Sequence, residues 1–198
     1  MSIYIETPRT IIREMLPEDE HGLFEMDTDP EVHRYVGQRP LETLEECRTV
    51  LNYVRSQYVD NGIGRWSVLE KETGEFLGWT GFKLMCEVAN GHIGHYDYGY
   101  RFKRAAWGKG YATESGRASL QYGIRQLGLK PVYAMTDINN GASRHILEKL
   151  GFRFVEVFQY DGPSNWRTPK DRMATWYELP EEMPSQKNRD VPFQSFQT

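Results

Sequence analysis

An α/β domain is the fold class this sequence predicts, and three observations predict it. The stretch Trp107-Gly108-Lys109-Gly110-Tyr111-Ala112-Thr113-Glu114 joins an aromatic, strand-like run, His92 to Phe102, to a segment, Ala112 to Leu127, with helical spacing. Thr43 and Glu46 form a capping box that opens one apolar stripe, Leu44, Cys47, Leu51, Val54 and Tyr58, ended by Asn61-Gly62. From Gly64 the period changes to two, and the runs Arg65 to Glu70 and Glu75 to Met85 flank a hairpin connection, Lys71-Glu72-Thr73-Gly74.

Around these the chain reads in order. Thr10-Ile11-Ile12-Arg13 is a first strand, and Pro17 followed by Glu18, Asp19 and Glu20 starts a helix that Asp29-Pro30 breaks, with acids at its positive end. A loop with His33, Tyr35 and Gly37 precedes the capped helix. After the glycine turn, small residues at 112, 116 and 123 let a helix approach a sheet closely, and Gly128 stops it. Pro131 to Thr136 is a strand, Asp137 to Gly141 a turn, and Ala142, Ile146, Leu147 and Leu150 one face of a short helix closed by Gly151. Phe152 to Phe158 and Met173 to Leu179 complete the strands. Residues 1–180 are expected to form one domain and 181–198, which lack apolar periodicity, a flexible tail.

Composition narrows the function. A chain of 198 residues suits one domain with a sizeable core, and its formal charge of -4 gives no footprint for nucleic acid. No apolar stretch approaches the roughly 18 residues of a membrane span. Cys47 and Cys86 have no metal-ligand spacing and read as buried thiols of a reducing compartment, so a cytoplasmic location is expected, without a membrane or a metal.

Two glycines at a helix start bring free backbone N–H groups and the positive helix end to a ligand, which points to a phosphate. A Walker loop requires Ser or Thr after its lysine, but Gly110 follows Lys109; a dinucleotide fingerprint requires a third glycine where Thr113 stands. What remains resembles the pyrophosphate loop of the GNAT acyl-CoA N-acyltransferases, Gln/Arg-x-x-Gly-x-Gly/Ala, on Trp107 to Ala112, with Trp107 departing from the usual first residue. The form of this loop is similar to that of the branch containing the ribosomal-protein N-terminal acetyltransferases. Asn140-Gly141-Ala142-Ser143 and Leu147-Glu148-Lys149-Leu150-Gly151-Phe152 resemble the second signature of the same family, about 30 residues further on, and the likeness covers roughly residues 7–179.

The resemblance implies a mixed, mostly antiparallel sheet flanked by about four helices, with acetyl-CoA as cosubstrate. It places the pyrophosphate over Gly108, Lys109, Gly110, Tyr111 and Ala112, with Trp107 and Thr113 at the ends of the loop. The pantetheine arm would lie along the strand at Tyr100 and Phe102. Asn140 fits either a hydrogen bond to the pantetheine or a plain helix N-cap. Asp97, where the branch often has Glu, is the first candidate for proton acceptor; His95 shares its strand face and has a suitable ordinary pKa. Many family members have a tyrosine donor where this chain has Leu147, so proton donation passes to Ser143, another tyrosine or water. Arg104 and Lys109 are candidates to meet the CoA phosphates, Trp166 and Tyr35 to line the acceptor cleft, and Trp66, Trp79 and Tyr98 are expected mainly in the core.

The expected activity is direct acetyl transfer to a primary amine, either a protein N-terminal α-amine or a small molecule, with a homodimer left open. A non-catalytic acyl-CoA sensor or docking module is the competing expectation, because Trp107 and Leu147 depart from the family pattern.

Overall fold

The computed structural model describes residues 4–36, 39–160 and 173–180. Strands β1 (Tyr4–Glu6) and β2 (Thr10–Glu14) lead to α1 (Glu20–Thr28), α2 (Pro30–His33) and α3 (Leu44–Asn61). Next come β3 (Arg65–Glu70), β4 (Phe76–Met85), β5 (His95–Phe102), α4 (Tyr111–Arg125), β6 (Val132–Asp137), α5 (Gly141–Lys149), β7 (Arg153–Gln159) and β8 (Met173–Glu178). The eight strands of the described residues form one sheet in the order β1-β2-β3-β4-β5-β6-β8-β7. Every pairing is antiparallel except that of β5 with β6.

Alternation along the strands builds a core on each face. Val68 and Leu77 join Ile12, Trp66, Phe82, Tyr98, Leu120 and Leu147 beneath α4 and α5. Their neighbours Leu69 and Phe76 face Leu23, Met26, Cys47 and Leu51 of α1 and α3. Close packing of α4 depends on Gly123, where an added Cβ would meet the Phe82 ring.

Several expectations need correction. The strand expected from His92 begins at His95, because Gly94 has φ +70 and its N–H bonds Met85 O at 2.8 Å. A short helix, α2, replaces the start of the loop after Asp29-Pro30, capped by the Asp29 side chain on the Glu31 amide at 2.9 Å. At α3, Thr43 caps the Glu46 amide at 3.2 Å, but the Glu46 carboxylate reaches the Glu42 amide and not that of the capping residue. Cys47 is buried, whereas Cys86 is exposed, so only one of the two thiols is buried as expected. The expected tail, 181–198, and the loop with Trp166 lie outside the described residues.

Among the described residues, no helix is long and apolar enough to cross a membrane, and no group of three or more His, Cys, Asp or Glu is placed to hold a metal ion.

Candidate active site

The parallel neighbours β5 and β6 are in register only at Tyr96↔Val132 and Asp97↔Tyr133. Beyond Asp97 they separate, while β4 continues to pair with β5 as far as Phe102 and β8 with β6 as far as Asp137. Among the described residues the separation leaves one edge of β5 without a strand partner, and a cavity of about 250 Å³ passes through it. Backbone groups on such an edge want hydrogen-bond partners and offer them to an extended ligand.

Period-two alternation divides the cavity into two sides. Tyr98 and Tyr100 face α5, where Asn140, Ser143 and Leu147 complete one wall. On the opposite face lie Asp97 and Arg101 of β5, Arg65 of β3, Trp79 of β4 and, from the segment after α2, Tyr35 and Val36. Trp79, expected in the core, packs partly buried against the α1 and α3 cluster and is also a wall of the cavity; Trp66 is wholly buried as expected.

The glycine loop follows β5 directly. Gly108 and Gly110 have φ +73 and +85, a region that non-glycine residues enter at a cost, and no side chain among the described residues caps the start of α4. Uncapped N–H groups at a helix N-terminus suit an anion. Arg9 braces the back of the loop: its Nη1 donates to Lys109 O at 2.9 Å, its Nε to Glu114 Oε2 at 2.7 Å, and its guanidinium covers the Tyr111 ring at 4.6 Å. Glu114 also accepts from the Thr7 hydroxyl at 2.7 Å. Burial would raise the Glu114 carboxyl, but the bonds from Thr7 and Arg9 outweigh it and hold the group below its ordinary range. The Trp107 indole donates to Phe102 O at 2.8 Å, so this unusual residue ties the loop to the strand end. Arg104 pairs with Asp29 at 2.9 Å.

Asp97 is held in an ion pair with Arg65, whose Nη1 also donates to Asp97 O at 2.7 Å. His95, one strand repeat away, is buried outside the cavity against Tyr133 and Trp176, with ring centroids 5.2 and 5.5 Å away. Burial lowers its pKa, with Asp97 opposing and His92 adding to the effect, and its Nδ1 has no hydrogen-bond partner among the described residues.

Asn140 Oδ1 accepts from the Ser143 amide at 3.1 Å as the N-cap of α5, and the residue also lines the cavity. The Tyr100 hydroxyl is 3.0 Å from Ser143 Oγ and 2.9 Å from Ser143 O. Burial raises the Tyr100 pKa, only partly offset by the bond to Ser143, so the phenol stays protonated at neutral pH. A tyrosine hydroxyl thus stands beside Ser143 although the helix carries Leu147. Sequence reasoning missed this pair because it assigns Tyr100 a role through its backbone alone; the period-two spacing of Tyr96, Tyr98, Tyr100 and Phe102, which puts these rings on one face of the strand, was the available signal.

The sequence profile described as "Acetyltransferase (GNAT) domain" matches residues 9–153. The chain belongs to the GNAT acetyltransferase family. It is an N-acetyltransferase by this membership, and enzymes of the family use acyl-CoA and an acceptor. It is 31% identical over 147 residues to an uncharacterized N-acetyltransferase, p20, of Bacillus licheniformis, covering 74% of this chain and 80% of that one. The FsC-acetyl coenzyme A-N(2)-transacetylase of Aspergillus fumigatus is 34% identical over 155 residues, with 73% and 64% covered. The fold is shared with a solved structure of RimL, a ribosomal L7/L12 alpha-N-protein acetyltransferase, at TM-score 0.72 and 13% identity over 90% of this chain and 94% of that one.

Proposed function

We propose that this GNAT enzyme moves an acetyl group from acetyl-CoA to a primary amine, the α-amine of a protein N-terminus or of a small molecule, by direct attack. The observation that carries the reading is the parting of β5 and β6 above Asp97, directly ahead of an uncapped glycine loop. The loop amides from Gly108 to Ala112 suit a pyrophosphate, and the released edge of β5 at Tyr100 to Phe102 suits an amide-bearing arm. There a backbone N–H polarises the thioester carbonyl and supports the oxyanion formed on attack.

The two walls then take separate tasks. On the Asp97 side the neutral amine attacks; its second proton leaves to Asp97 or to water. An α-amine loses a proton near pKa 7.7–8.0 and a lysine amine near 10.4, a difference of about 3.5 kcal/mol, so a weakly basic carboxylate serves the former far better. On the α5 side, the Tyr100–Ser143 hydroxyl pair delivers one proton to the departing sulfur as the C–S bond breaks, and it is reprotonated through solvent as Asp97 or water gives up the proton taken from the amine. The amide keeps one N–H, CoA leaves as the thiol, and charge and protons balance. No enzyme nucleophile enters this scheme.

The names of two similar proteins support a nitrogen acceptor: one is an N(2)-transacetylase and the other an alpha-N-protein acetyltransferase. Calorimetric titration with acetyl-CoA, followed by a mass-spectrometric screen of peptide N-termini and small amines, tests the proposal. Micromolar binding with turnover is expected. Binding without turnover over the whole panel would favour an acyl-CoA sensor, and no binding to the folded protein would remove the site.

A further inference from the structure

We propose that Arg65 is a positioning residue of the acetyl transfer, one that fixes both the carboxylate and the main chain of Asp97 at the point where β6 leaves β5. The inference rests on the reading of Asp97 as the acceptor-side group.

Strand register aligns Arg65, Gly81 and Gly99 in one row across β3, β4 and β5. Along this row the arginine side chain crosses β4. Its Nη1 donates to Gly81 O and, at 2.7 Å, to Asp97 O, while Nη2 holds Asp97 Oδ2. Gly99 is bare where the guanidinium passes: an added Cβ would lie 3.1 Å from Nη2 and 3.2 Å from Cζ of Arg65. The arginine is held from below as well. Tyr58 of α3 donates its hydroxyl to Arg65 O while accepting the Met15 amide at 2.8 Å, and the Trp79 ring lies 5.3 Å from the guanidinium carbon.

A planar fork that satisfies one carboxylate oxygen and two carbonyls at once is a task for arginine and not for lysine. Its consequence is mechanical. Asp97 is the last residue of β5 that β6 holds in register, and the released edge begins at Tyr98 and runs on through Tyr100. Anchoring Asp97 therefore sets where the next peptide groups point, and a small error in their aim weakens transition-state hydrogen bonds more than substrate binding. Charged and titratable groups around Asp97 are Arg65 from β3, Lys83 opposite it on β4, Tyr133 opposite it on β6, and His95 and Arg101 on its own strand face.

The test compares wild type, Arg65→Ala and Arg65→Lys for acetyl-CoA affinity by calorimetry, thermal midpoint, and kcat and KM with the best amine of the screen. Arg65→Ala is repeated with millimolar guanidinium chloride, well below denaturing concentration. The expected result is a kcat reduced about a hundredfold, acetyl-CoA affinity within threefold of wild type, partial recovery of kcat with guanidinium, and little recovery in Arg65→Lys. Unchanged kcat in Arg65→Ala, a wild-type kcat in Arg65→Lys, or a loss unaffected by guanidinium and matched by weaker acetyl-CoA binding would overturn the inference. Failure of the wild type to turn over any amine would instead overturn the proposed activity, and this role with it.

Discussion

Replacing Tyr100 by Phe removes one oxygen and leaves the aromatic packing against Tyr98, whose ring centroid is 6.1 Å away. Two contacts are lost, to Ser143 O at 2.9 Å, where the phenol donates, and to Ser143 Oγ at 3.0 Å, where it can accept from the serine hydroxyl. The stability cost is accordingly that of up to two neutral hydrogen bonds, about 1–2 kcal/mol, or roughly 2–8 °C in Tm for a chain of this size. The effect on catalysis is larger if the hydroxyl donates to the departing sulfur: positioned proton donors contribute about 10²- to 10⁴-fold, and with Ser143 still present the lower figure, about a hundredfold in kcat, is expected. The assay is CoA release measured chromatographically, because the exposed Cys86 thiol would react with thiol reagents. Ser143→Ala and the double variant complete a cycle, and the two losses are expected not to add, since the hydroxyls act as one unit. A kcat for Tyr100→Phe within threefold of wild type, or full additivity, would refute the donor role.

Other perturbations address the loop and the pH response. Gly110→Asp places a charge and a strained residue at φ +85; acetyl-CoA Kd should rise at least tenfold by calorimetry while Tm falls a few degrees, and an unchanged Kd would displace the pyrophosphate site. Glu114, a carboxyl held below its ordinary range, adds stability that is complete above the unfolded pKa of about 4.3 and disappears as pH falls through the folded value. Melting curves of wild type and Glu114→Gln should therefore differ at pH 7 and converge in acid; a constant gap would contradict the Thr7 and Arg9 contacts. For His95 the sign is set by burial of a neutral imidazole: the unfolded chain takes up a proton below about pH 6.5 before the folded one does, so stability falls as pH drops from 7. His95→Phe should flatten that fall between pH 7 and 5 in thermal melts, and parallel slopes would count against it.

The elements that sequence reasoning located best are those whose ends are chemically marked. Helix α3 begins at a Thr43 cap and ends at Gly62, with φ +69, and the hairpin between β3 and β4 turns at Gly74, with φ +73. β1 was missed because three residues carry no periodicity, and α2 because a four-residue helix after proline looks like a loop. Within the site, the glycine loop and the N-cap at Asn140 are local and were legible. Arg9 and Glu114, more than a hundred residues apart, gave no such signal, and neither did Arg65, which reads as an ordinary charged strand residue.

The order of periods, the two signatures and the caps follow from the sequence alone, because helices, turns and strands are set by neighbours within a few positions. Those same residues identify the family. Tertiary structure decided where β5 and β6 part, which faces of the sheet Asp97 and Tyr100 occupy, that Asp97 is engaged by a guanidinium, and that His95 is buried among aromatic rings outside the cavity. Each of these depends on register and packing between segments distant in the chain, where a shift of one residue would exchange the two faces of a strand.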